Sequence, residues 1–131
     1  MTRAETRRLI LAVQFLTRLP TPQVRDFSAA DLTRSAHWFP LVGLLIGTLL
    51  AGAGWLAGML DPWFGALAVL LAWVWVTGAL HLDGLADVTD GLGAGHRDRE
   101  RLLAAMRDPH VGALGVVALI TLLMSKLVLL M

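Results

Sequence analysis

The chain has 131 residues, 56% of them hydrophobic and 16% charged, with a mean hydropathy of +0.68. These fractions depart from those of a soluble domain in the direction of a membrane protein. A formal net charge of +1 argues against nucleic-acid binding by bulk charge, and the absence of cysteine excludes disulfides, thiolate metal sites and cysteine nucleophiles.

The first element, "TRAETRRLILAVQFLTRLPTP", has a basic lead and an apolar run from Leu9 to Leu16. Arg18 interrupts the run and no small-residue cleavage site follows, which argues against a signal peptide. A helix lying in the membrane interface, with Arg7, Arg8 and Arg18 reaching the headgroups, fits better.

Three later stretches meet the requirement of about 20 apolar residues for a hydrocarbon layer about 30 Å thick. They are Trp38 to Leu60, Pro62 to Leu82, and Val111 to Met131. Asp61 alone joins the first two, and Pro62 is suited to begin a helix, so a tight helical hairpin is predicted. Gly43, Gly47, Ala51, Gly54 and Gly58 would let the first span pack closely against a neighbour. After the second span, Gly91, Gly93 and Gly95 predict a helix break. "DRERLLAAMRD" then predicts a short amphipathic helix, N-capped by Asp98 and stopped by Pro109.

Six arginines, Arg3 to Arg34, precede the first span, and Arg97, Arg99, Arg101 and Arg107 lie between the second and third. The hairpin tip has none, so both basic segments and the intervening "HLDGLADVTDG" motif are expected on the cytoplasmic side of a cell (inner) membrane. The expected fold is all-α and polytopic, with about three transmembrane helices plus an N-terminal interfacial helix. Residues 1–131 form a single membrane domain in this reading. The end at Met131, inside an apolar run, suggests an N-terminal portion of a larger domain.

The acidic motif carries Asp83, Asp87 and Asp90. At about 100° per residue, Asp87 lies about 40° to one side of Asp83 and Asp90 about 20° to the other, so all three share one helix face. Like charges at this spacing repel unless something compensates. A hard divalent cation such as Mg²⁺, held by oxygen ligands with water and substrate phosphates in its other positions, is the economical answer. Gly84 and Gly91 would leave room for a phosphate-bearing ligand near the backbone. The alternative ends the second span near Gly78 and makes the motif a solvated loop.

His81 is a candidate base or partner to the carboxylates, although it points about 200° from Asp83 on an ideal helix. Arg97, Arg99, Arg101 and Arg107 either enforce topology or, for one or two of them, clamp a phosphate. Lys126, about halfway along the last span, requires a partner or must snorkel. His37, His96 and His110 show no ligand spacing.

"TGALHLDGLADVTDGLGAGHRDRERLLAAMRDPHVGALG", preceded in order by "FLTRLPTP" and "WFPLVGLLIG", closely resembles the cobalamin synthase (adenosylcobinamide-GDP ribazoletransferase) family of integral membrane enzymes. The resemblance implies attack of α-ribazole, or its 5′-phosphate, on the activated phosphoryl of adenosylcobinamide-GDP. The implied products are adenosylcobalamin, or its phosphate, and GMP. It also implies an Mg²⁺ requirement that suits the Asp83, Asp87 and Asp90 face, with Arg97 and Arg107 as substrate-binding candidates and His81 assisting the hydroxyl. The partners implied are these substrates and the lipid bilayer, with no nucleic acid, and a homo-oligomer is a further possible partner. Rival readings are a CDP-alcohol-phosphotransferase-like enzyme, a cation-coupled transporter subunit and an inactive fragment. The string "DGLADVTDG" lacks the arginine of the first, and Lys126 is the only charge at depth that the second could use.

Overall fold

The computed structural model describes residues 2–95, 98–106, 108 and 110–131, and all regular structure among them is helical. The chain forms two compact units, Met1–Gly78 and Ala79–Met131.

The first unit begins with α1 (Arg3–Leu16), whose N-cap Thr2 accepts from the Glu5 amide. α2 (Ala29–Ser35) starts at a reciprocal capping box between Ser28 and Asp31, which satisfies amide donors that a helix start leaves unpaired. One 3₁₀ turn, Ala36–Trp38, leads into α3 (Phe39–Gly58). α1 packs against this corner, with Phe15 stacked on Phe39 at 6.0 Å. Glu5 accepts from the His37 ring at 3.1 Å and the Trp38 indole at 3.2 Å, and Arg8 is also paired with it. Arg7 donates to the Asp26 carbonyl. Arg7 and Arg8 thus make contacts within the unit while their side chains stay 45% and 35% exposed.

The predicted hairpin is present. α4 (Pro62–Thr77) opens on Pro62, with the Asp61 carboxylate accepting from the Trp63 amide at 2.8 Å. α3 and α4 meet through glycine: a Cβ on Gly65 would lie 3.1 Å from the Gly58 Cα and 3.2 Å from the Gly54 carbonyl oxygen. Small residues thus permit the close approach that apolar helices use when they pair. Gly43 and Gly47, by contrast, face open space. Only Val42 of α3 is buried, while Leu44, Trp55 and Leu56 are 62–70% exposed. Such a helix, apolar on every side yet uncovered, suits a hydrocarbon surrounding.

α4 ends at Gly78 (φ 63°), whose amide donates back to Trp75 and Val74. Arg18 lies over this glycine; a Cβ there would sit 2.8 Å from its Nε, and the Arg18 amide donates to the Val76 carbonyl at 2.7 Å. Ala79 follows with φ 62°, a left-handed conformation that costs an L-residue about 1–2 kcal/mol. The second apolar stretch, predicted as one helix to Leu82, is therefore two, because consecutive left-handed residues cannot continue a right-handed helix.

The second unit contains α5 (Leu80–Gly95), α6 (Arg99–Ala105) and α7 (Ala113–Leu129). α6 has the predicted Asp98 N-cap, which accepts from the Glu100 and Arg101 amides. The expected stop at Pro109 lies outside the described residues. The break predicted at Gly91, Gly93 and Gly95 comes at the last of them, where α5 ends. Gly91 and Gly93 remain helical, and neighbours occupy their missing Cβ positions: Leu102 and Met106 at Gly91 and Leu114 at Gly93.

One continuous helical stretch, residues 29–58, is long and apolar enough to cross a membrane, and a second exists if the broken pair of α4 and α5 counts as one span. α7 is a shorter apolar helix of 17 residues.

Candidate functional site

α5 carries the acidic motif, so the carboxylates stand on a helix and not in a solvated loop. Its two sides meet different partners. Gly91 and Gly95 face α6, whereas Gly93 and Asp90 face α7. Gly93 is about 200° from Gly91 on the helix, which places α6 and α7 on opposite sides.

Asp83 is exposed and Asp87 half-buried, one helical turn apart, and neither carboxylate has a hydrogen-bond partner among the described residues. Asp90 differs. Its two oxygens accept the Gly112 amide at 2.7 Å and the Gly115 amide at 2.8 Å. Among the described residues, no group of three or more His, Asp or Glu converges on a point that could hold a metal ion. The donors left open are therefore Asp83 and Asp87. They fit a magnesium ion of the kind that takes one or two carboxylates and completes its shell with water and substrate phosphates.

A Cβ on Gly84 would meet nothing within 4 Å, consistent with room for a ligand. Gly91 does not offer that room: it is buried, and Leu102 and Met106 fill the space above it. Arg97 and Arg107 lie outside the described residues.

His81, at the start of α5, meets Lys126 of α7, with Nε2 and Nζ 3.2 Å apart. An ammonium has only donors, so Lys126 as a cation donates and the His81 Nε2 accepts. The partner that a lysine in this apolar segment requires is thus the motif histidine, a pairing that 45 residues of separation hide from sequence inspection. Beside Asp90, an open cleft of about 320 Å³ is lined by Asp108, His110 and Gly112 among others. The Asp108 carboxylate accepts from the His110 amide at 3.0 Å and is 2.6 Å from its Nδ1. These bonds, the backbone one foremost, hold the Asp108 carboxyl below its ordinary value.

The described residues thus define an all-α protein with largely uncovered apolar helices, whose α5 bears the acidic motif. Residues 8–131 match the cobalamin-5-phosphate synthase family, and the chain belongs to that family. Among its relatives are proteins named adenosylcobinamide-GDP ribazoletransferase. The one from Thiobacillus denitrificans is 56% identical over 124 residues, covering 95% of this chain and 50% of the relative. That from Laribacter hongkongensis is 61% identical over 125 residues, covering 95% and 51%. That from Novosphingobium aromaticivorans is 58% identical over 127 residues, covering 95% and 52%. The chain spans about half the length of these curated relatives. No solved structure matches it.

Proposed function

We propose that the chain carries the phosphate-handling part of an adenosylcobinamide-GDP ribazoletransferase, joining the phospho-cobinamide group to α-ribazole or its 5′-phosphate with release of GMP. The observation that carries this reading is the pair Asp83 and Asp87, open and one turn apart, on the α5 of a chain that matches the cobalamin-5-phosphate synthase family. Phosphoryl transfer asks a protein mainly for positioning and charge neutralisation. Mg²⁺, when bound, would supply the charge that a pyrophosphate needs to be held and a departing GMP needs to leave. Asp83 and Asp87 would hold the ion. Gly84 leaves the adjacent backbone open to the nucleotide, and Lys126 fixes the direction of the His81 ring near the start of the same helix.

The apolar, uncovered faces of α3 and α4 support a bilayer location, with α3 and α4 as spans, α1 in the interface and the basic segments on the cytoplasmic side, while α5 lies along α7, from Asp90 at the Gly112 start to His81 at Lys126. The test is Mg²⁺-dependent GMP release from adenosylcobinamide-GDP and α-ribazole by this chain in liposomes. Asp83→Asn and Asp87→Asn should each lower it about a hundredfold or more. Unchanged turnover in both variants, or release that persists in chelator, would refute the metal assignment.

A further inference from the structure

We infer that Asp90 is a capping residue that fixes the start of α7 on α5, and that it is not the third ligand of a metal site. α7 begins at Gly112, which has no side chain with which to cap, and the helix start receives no cap from its own sequence. Its first amides need acceptors, and the positive end of the helix favours an anion. Asp90 supplies both, one oxygen to the N-cap amide of Gly112 and the other to the Gly115 amide three residues on. Hydrogen bonds to an ionised acceptor are the strong kind. The glycines are part of the device: a Cβ on Gly112 would lie 2.8 Å from the Asp90 Cγ, and one on Gly115 3.0 Å from it. A side chain at either position would force the carboxylate to shift. With both oxygens so engaged and no metal-holding group of three formed around them among the described residues, Asp90 is set apart from Asp83 and Asp87.

The capping itself is independent of the ribazole-transfer reading; only the contrast in metal binding rests on it. The experiment measures amide hydrogen exchange and Mg²⁺ titration on the whole chain in detergent, comparing wild type with Asp90→Asn, Gly115→Ala and Asp83→Asn. In Asp90→Asn the Gly112 and Gly115 amides should exchange about tenfold faster or more, while the Mg²⁺ midpoint stays within about twofold of wild type. Gly115→Ala retains the carboxylate but displaces it, and should speed exchange at Gly112 in the same way. Asp83→Asn should do the reverse, weakening Mg²⁺ without exposing those amides. Unchanged exchange in both Asp90→Asn and Gly115→Ala would overturn the inference, as would a loss of Mg²⁺ affinity in Asp90→Asn equal to that in Asp83→Asn. Should Asp90→Asn exchange rapidly throughout α5 and α6, the unit has lost its fold and Gly115→Ala decides. Should wild type bind no Mg²⁺, the metal reading fails while the exchange data still judge the cap.

Discussion

Asp31 and Glu5 illustrate how single carboxylates organise the first unit. The Ser28 amide, then its hydroxyl, hydrogen-bond to Asp31 and hold its carboxyl below the ordinary value, with Arg7 and Arg34 adding to the effect. A group whose folded pKa is depressed contributes stability that is fully present above its unfolded pKa and is lost as pH falls through the folded value. The start of α2 should therefore be unaffected by pH near neutrality and fray on acidification below the usual carboxylate range. Amide exchange at Asp31 and Leu32 measures this, and Asp31→Asn should remove the acid dependence; a variant that retains it would show that another group is responsible. Glu5 reaches the same direction by another balance. Burial would raise its carboxyl, but bonds from His37 and Trp38, with the Arg8 charge alongside, outweigh it and hold it low. The S-x-x-D spacing announces the first arrangement in sequence. Nothing local announces the second, because Glu5 and His37 are 32 residues apart.

Helices whose ends are written in local chemistry are the legible ones. Asp61-Pro62 starts α4, Asp98 starts α6, and the apolar run from Trp38 sets α3 to within two residues at each end. α5 is illegible at its start, because that boundary depends on distant residues, while its end falls within the glycine run. Gly78 and Ala79 break the apolar run where Arg18 lies over the glycine, and Gly91 and Gly93 stay helical because α6 and α7 fill their faces. Glycine costs a helix about 1 kcal/mol relative to alanine, which packing of this kind readily offsets. The spacing of the three aspartates puts them along one face, yet their division into an open pair and a cap cannot be read without the Gly112 and Gly115 amides. The one available hint is the spacing of those two glycines in "VGALG". At the α3–α4 contact the glycine requirement is direct. Gly65→Leu should destabilise the hairpin by about 1–3 kcal/mol, the range expected for overpacking. Reversible unfolding in detergent reads this, and Gly43→Leu, in open space, serves as the comparison; equal effects would show that close approach is not what Gly65 provides.

On the scale of the whole molecule, the bilayer reading turns on where the hairpin tip lies. Trp55, Met59, Leu60 and Trp63 cluster around it, each at least 58% exposed, an aromatic-rich end suited to a membrane interface. The chain contains no cysteine, so Leu60→Cys and Ala104→Cys are clean single-site probes. An impermeant thiol reagent should label position 60 from outside the cell membrane and position 104 only after the membrane is opened. Labelling of both from one side would refute the proposed topology. The same tip bears on biogenesis. Between Gly58 and Pro62 only Met59, Leu60 and Asp61 remain outside helix, and Asp61 is their sole charge. In the proposed topology a newly made α3–α4 pair would enter lipid as a pre-joined unit, carrying a single carboxylate across while every arginine stays behind at the ribosome's side.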